Sequence, residues 1–336
     1  MKARVLILHT GGTIGMCASP DGYRPLAGFG AVLERELRAP AAAQLPAFDV
    51  VEHGQLIDSA NLRPTHWSAI ANDLIGRWDD YDGFVVLHGT DTMAWTASAL
   101  SFMLRGADKP VILTGAQIPL GEPRSDAAQN LHSALMLAAG GAIREVCVYF
   151  NHRLLRGNRS RKLKSTAFDA FDSPNWPPLA EVGIAVDIHR ERLLSTTARD
   201  FKVPTYDPEA VAVLPIYPGI SARVVGAMLD SPAVRGLILR SYGVGNAPDA
   251  DPRLMDTLAR AVARGVVVLN TTQCVSGAVE QGAYATGAAL NRIGVVPGAD
   301  LTLEAAFAKL HFLLATEPDV AAVRERLGQN LCGELS

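Results

Sequence analysis

Thr10-Gly11-Gly12-Thr13-Ile14-Gly15-Met16 stands directly after the apolar run Arg4–His9. A short apolar run that meets two adjacent glycines describes a strand ending in a tight turn with exposed backbone. The construction recurs at Gly83–His88, which runs into Gly89-Thr90-Asp91-Thr92-Met93. Pro110–Leu113 ends in Thr114-Gly115, and Glu145–Phe150 is a fourth run of the same kind. Between them, Met93–Arg105 and Asp126–Ala139 carry apolar residues at helical spacing. Apolar strands separated by helices predict a parallel sheet buried on both faces.

The rhythm pauses at Asp187–Pro208, where charge is mixed, two prolines occur and no period is visible. It resumes with strand-like runs at Val211–Leu214, Gly236–Leu239 and Gly265–Asn270. Helical spacing marks Ser221–Leu229, Pro252–Arg264 and Leu303–Ala315. The expected fold is therefore α/β in two domains. A larger N-terminal domain, residues 1–186, has a mainly parallel sheet. A linker covers 187–210, and a smaller C-terminal α/β domain covers 211–336.

Composition agrees with this division. A chain of 336 residues is long enough for two cores at about 150 residues each. Hydrophobic residues make up 49% and charged residues 19%, too apolar a mixture for disorder. Lys and Arg number 31 against 34 Asp and Glu, a net charge of −3, so a nucleic-acid partner loses weight. Near the N-terminus the apolar core Val5–Leu8 is too short for a secretory signal. No run approaches the ~18 apolar residues of a membrane span. Cys17, Cys147, Cys274 and Cys332 lack C-x-x-C spacing and suggest neither a disulfide framework nor a zinc site. The expectation is a cytoplasmic protein with reduced thiols and no nucleic-acid or membrane partner.

Ligands of open α/β sheets collect beyond the carboxyl ends of strands, and two of these ends set threonine beside glycine. The first end is not G-x-G-x-x-G and has no P-loop lysine, which weighs against dinucleotides and nucleoside triphosphates. Thr13 and Thr90 read individually as turn or capping residues. As a pair they raise a second reading, a threonine nucleophile, which needs a proton acceptor and an oxyanion site. Asp91 follows Thr90 directly, and backbone N–H groups of Gly89–Asp91 are candidate oxyanion donors. Lys162, in the loop after the fourth strand, is either a solvated basic residue or, when desolvated beside a hydroxyl, a proton acceptor. His88 is either a base or a packed strand-end residue. No H-x-x-x-H occurs among the eight histidines, so no metal is expected.

The segments Thr10–Met16 and Leu87–Met93 resemble the two signatures of the bacterial asparaginase/glutaminase family. The likeness extends through Asp58-Ser59, Lys109–Leu120, Arg156-Gly157-Asn158, Leu239–Pro248, Asn270–Cys274 and Asn330–Glu334, essentially end to end. The Ser241–Pro248 block resembles the cytosolic type I branch. The resemblance implies an L-asparagine amidohydrolase without cofactor, with Thr13 as nucleophile and a β-aspartyl ester on its oxygen. Thr90, Asp91 and Lys162 match a second catalytic group, in which the lysine poises Thr90 and a water. Asp58, Ser59 and Ala60 match the segment that holds the substrate's α-amino and α-carboxylate groups. Tyr23 matches the tyrosine of a mobile flap over Thr13. A homodimer or homotetramer is implied as well.

Two alternatives remain at this point. An amidotransferase subunit supplying ammonia for amide-tRNA formation shares the threonine chemistry but carries an extra N-terminal domain, for which Thr10 lies too near residue 1. A nucleotide-binding regulatory α/β protein would keep the glycine loops without needing Thr13, Thr90, Asp91 and Lys162 together. An effector site is also expected. If the strands Gly236–Leu239 and Gly265–Asn270 are neighbours, Arg240 and Cys274 both lie at strand ends, where a carboxylate suits the guanidinium. The other reading pairs Arg240 with an internal aspartate and packs Cys274 as a small residue. The resemblance adds that some cytosolic members respond cooperatively to asparagine.

Overall fold

The computed structural model describes residues 2–37, 45–195, 197–283 and 285–336. It divides into two compact units, Met1–Val203 and Pro204–Ser336.

The first unit carries β1 (Arg4–His9), β2 (Met16–Ser19), β3 (Gly22–Pro25), β4 (Ala47–Glu52), β5 (Gly83–Leu87), β6 (Leu104–Arg105) and β7 (Val111–Thr114). These are followed by β8 (Val146–Phe150), β9 (Arg153–Arg156), β10 (Arg161–Lys162), β11 (Phe171–Asp172), β12 (Ala180–Val182), β13 (Val186–Ile188) and β14 (Asp200–Phe201). Its helices are α1 (Phe29–Leu37), α2 (Pro64–Ile75), α3 (Met93–Met103) and α4 (Ala127–Ala139). The main sheet has eight strands in the order β13-β12-β9-β8-β7-β5-β1-β4. Pairing is parallel from β4 to β8 and antiparallel at β9, β12 and β13.

Val5, Ile7, Val85, Leu87 and Ile112 belong to one core with Phe29 and Leu33 of α1 and Leu131 and Leu135 of α4. The alternate residues Leu6, Leu8, Phe84 and Val86 are equally buried, which requires cover on the opposite face, and α3 packs on β7 and β8. Each such side chain contributes about 1.5–3 kcal/mol when removed from water. The parallel sheet expected from the apolar runs is thus observed, with an antiparallel edge added. That edge is built from two local hairpins, β8–β9 and β12–β13, joined where Ala180 of β12 pairs with Leu154 of β9. Strands this short carry too few residues to show a period.

The second unit holds a parallel sheet β15 (Val211–Pro215), β16 (Gly236–Ser241), β17 (Val267–Thr272), β18 (Val296–Pro297), in that order. Helices α5 (Ala222–Leu229) and α6 (Pro252–Ala263) pack on each other, and α7 (Ala285–Arg292), α8 (Leu303–Thr316) and α9 (Val320–Leu327) complete the unit. Strand β17 starts two residues later than the apolar run suggested. Gly265, at φ +96°, ends the α6 segment in a conformation that favours glycine and is not strand.

The stretch read as a linker is partly structured. Val186–Ile188 pairs with β12, and Asp200–Phe201 pairs with β6, both inside the first unit. The C-terminal motif Asn330–Glu334 wraps a fully buried ion pair. Lys309 Nζ lies 2.7 Å from Glu334 Oε1, and also donates to the carbonyls of Leu327 and Gln329. Burial lowers the pKa of Lys309. Among the described residues no helix is long and apolar enough to cross a membrane.

Candidate active site

Three loops meet beyond the carboxyl ends of β1 and β5, and glycine is what lets them meet. A Cβ on Gly11, whose φ is +119°, would lie 2.3 Å from the Ile57 carbonyl oxygen. A Cβ on Gly12 would lie 2.4 Å from the Gly89 nitrogen, and one on Gly89 would lie 2.4 Å from Ser59 Oγ. Contacts under 3 Å do not occur between real atoms of this kind, so side chains at these positions would wedge the loops apart. Hydrogen bonds fix the same junction. Thr10 donates from both N and Oγ1 to the Leu87 carbonyl, at 3.0 and 2.8 Å, and Ile57 N donates to the Thr10 carbonyl at 2.8 Å. Thr92 Oγ1 donates to the Ser59 carbonyl at 2.8 Å.

Thr13 opens a 3-10 turn, Thr13–Gly15, on the first loop and is half-buried. Its hydroxyl has no hydrogen-bond partner among the described residues. On the second loop Thr90 is buried, and Lys162 Nζ donates to Thr90 Oγ1 at 2.8 Å and to Asp91 Oδ1 at 2.8 Å. The Asp91 carboxylate is largely exposed and the Lys162 side chain largely buried. An ion pair open to water on one side contributes about 0–1 kcal/mol, too little to account for this arrangement as a stabilising device. Lys162 stands on β10 and is not the free loop residue expected. Strand β10 pairs with β11, and Arg153 grips β11 through the Phe171 carbonyl at 2.9 Å and Asp172 Oδ1 at 3.0 Å.

Asp58 caps the 3-10 turn Ser59–Asn61, accepting from Ala60 N at 3.2 Å. Its carboxylate and Ala60 are exposed while Ser59 is buried beneath Gly89. Tyr23 lies on a β2–β3 hairpin, 55% exposed and without a hydrogen bond to Thr13.

Gln117 had no assigned role in the sequence reading and stands in this centre. Its Nε2 donates to the carbonyls of Ser165 and Ala167 at 3.2 and 3.0 Å, which turns Oε1 toward Thr90 Oγ1 at 3.4 Å. Its backbone N–H is held by the Asp126 carboxylate. The available signal was its position just past Thr114-Gly115, the end of a third strand. The Thr90 hydroxyl therefore accepts from Lys162 and aims its own hydrogen at Gln117.

Arg240 lies inside β16, one residue before the strand's end, paired in register with Thr271 of β17. The two strands are neighbours, as the effector reading required. The Arg240 guanidinium approaches the carbonyls of Thr272 and Gln273 at 3.4 Å, and exposed Cys274 follows. Among the described residues no group of three or more His, Cys, Asp or Glu gathers as a metal site would.

Fold and site together describe a hydroxyl–lysine–carboxylate centre at the strand ends of a two-unit α/β protein. The "Asparaginase, N-terminal" family model matches residues 4–194, and the "Glutaminase/Asparaginase C-terminal domain" model matches 210–327. The chain is 49% identical to L-asparaginase 1 of Escherichia coli, over 100% of this chain and 98% of that one. It is 34% identical to a glutamyl-tRNA(Gln) amidotransferase subunit of Pyrococcus abyssi, over 99% of this chain and 76% of that one. The crystal structure of L-asparaginase I from Vibrio cholerae matches with a TM-score of 0.91 at 44% identity, covering 100% of both chains. The chain belongs to the asparaginase family.

Proposed function

We propose that this protein hydrolyses the side-chain amide of L-asparagine, giving L-aspartate and ammonia. The observation that carries the reading is Lys162 Nζ at 2.8 Å from both Thr90 Oγ1 and Asp91 Oδ1, beside a glycine loop that bears Thr13. The 49% identity to a protein named L-asparaginase 1 supports the substrate.

In this reading the Thr13 hydroxyl attacks the amide carbon and its proton leaves with the departing ammonia. The resulting β-aspartyl ester is cleaved by water, with Thr90 and Lys162 carrying the proton. Asp91 and Asp58 offer carboxylates to the substrate ammonium, and Ser59 and Ala60 lie where its α-carboxylate would rest. Tyr23 closes over Thr13 with ligand bound. The chemistry asks for no cofactor. We read the working form as a homodimer or homotetramer in the cytoplasm.

The test is ammonia release from L-asparagine alone, with hydrogen exchange of Met16–Pro25 followed with and without aspartate. Wild type is expected to release ammonia with no tRNA present, and the Thr13→Ala variant is expected to lose several orders of magnitude in kcat. Near-normal turnover by Thr13→Ala would remove it as nucleophile. Equal exchange in both states would remove the lid.

A further inference from the structure

His88 follows β5 directly, and its ring is buried. Nδ1 lies 2.8 Å from the Gly89 carbonyl oxygen. A carbonyl only accepts, so Nδ1 carries the hydrogen. Nε2 lies 2.8 Å from Thr96 Oγ1 on α3. A neutral ring with its hydrogen on Nδ1 has its lone pair on Nε2, so the Thr96 hydroxyl donates. Burial lowers the ring's pKa to about 4, which keeps it neutral near pH 7. Its one lone pair is already engaged, which leaves it no capacity as the base of the reaction.

The residue is held on further sides. Its backbone N–H donates to the Thr114 carbonyl at 2.9 Å. A Cβ on Gly115 would lie 2.4 Å from the His88 carbonyl oxygen. Thr96 is wholly buried, with its N–H on the Thr92 carbonyl. The ring thus rests on a rigid mount and grips the carbonyl oxygen of the next residue.

That carbonyl shares a planar peptide unit with the Thr90 N–H. In a trans peptide the two point in opposite directions. Holding the oxygen inward turns the N–H outward, away from the buried ring. Among the described residues no protein group accepts from it.

We propose that His88 is a positioning residue: it clamps the Gly89–Thr90 peptide so that the Thr90 N–H stands ready for the oxygen that gains charge during amide hydrolysis. The proposal rests on the amidohydrolase reading above. Preorganised donors of this kind act without reorganising at the moment of reaction, and losing one costs about 10²–10³ in kcat.

Two variants separate clamping from mere packing. In His88→Asn the amide nitrogen can occupy the place of Nδ1 and keep the bond to Gly89. In His88→Gln the amide reaches the place of Nε2 and keeps only the contact with Thr96. Both lose the ring, so both are expected to lower thermal stability alike. On L-asparagine, His88→Gln is expected to lose about 10²-fold in kcat with KM changed less than about threefold. His88→Asn is expected to stay within about tenfold of wild type. Equal losses in the two variants, or a change confined to KM, overturn the proposal. A third measurement does not depend on turnover: ¹⁵N NMR of the wild-type ring at pH 7. A hydrogen on Nδ1 is expected, and a hydrogen on Nε2 or a doubly protonated ring overturns the clamp. If wild type releases no ammonia from L-asparagine, the amidohydrolase reading fails by itself, and the tautomer still decides whether the clamp exists.

Discussion

Replacing Gly12 with alanine tests the idea that close backbone approach builds the site. Gly12 has φ +96° and ψ 170°, a region that only glycine occupies without strain. Holding alanine there costs about 1–3 kcal/mol. The added Cβ would sit 2.4 Å from Gly89 N, 2.5 Å from Gly89 Cα and 2.7 Å from the His88 carbonyl carbon. These are backbone atoms and cannot rotate aside. Restoring a carbon contact of about 3.5 Å moves one loop by roughly 1 Å, and overpacking of this kind costs about 1–3 kcal/mol more. The expected loss is about 2–6 kcal/mol in the first unit. A 1 Å displacement between the Thr13 and Thr90 loops is expected to lower kcat/KM by about 10²-fold. Gly28→Ala is the control, because its φ is +69° and a Cβ there would meet nothing within 4 Å. It is expected to cost only about 1–2 kcal/mol and to leave turnover within a few-fold. Urea midpoints with unchanged slopes give the stabilities, and ammonia release gives the rates. A Gly12→Ala protein no less stable than Gly28→Ala, with near-wild-type turnover, would refute the argument.

If Lys162 and Thr90 share one proton path, Lys162→Met cuts kcat severely and adding Thr90→Val costs little more. Losses that multiply in the double variant would separate the two residues. Acid is expected to destabilise the protein from pH 6.5 downward. His9, His88 and His311 have pKa values lowered by burial to about 4. Between about 4 and 6.5 the unfolded chain binds protons that the folded chain does not, so stability falls with pH across that window, by up to about 3 kcal/mol per ring. A flat urea midpoint from pH 7 to pH 4 would contradict this. For the effector pair, a sigmoidal dependence of rate on asparagine is expected to become hyperbolic in Arg240→Ala. Hyperbolic wild-type kinetics would remove Arg240 and Cys274 from regulation.

The sequence by itself determined the parallel core and singled out the two glycine–threonine strand ends that the fold brings together. Apolar runs and helical spacing are local signals, set by which side chains must leave water. Gly-Gly-Thr and Gly-Thr-Asp at strand ends are local too, because glycine is the residue a tight turn and a close approach require. What only the tertiary structure decided is which distant groups meet there. Lys162 reaches Thr90 across 72 positions of chain through a two-residue strand that no period reveals. Gln117 enters because the Ser165 and Ala167 carbonyls orient its amide. In the antiparallel edge the hairpins β8–β9 and β12–β13 are local, and only the pairing of β12 with β9, Ala180 opposite Leu154, joins segments distant in the chain. His88 stands close to Thr90 in the sequence, yet its role depends on Thr96 on the helix that follows, which fixes where the ring's hydrogen lies. Hydrogen-bond direction belongs to the folded arrangement of donors and acceptors, and no single residue type encodes it.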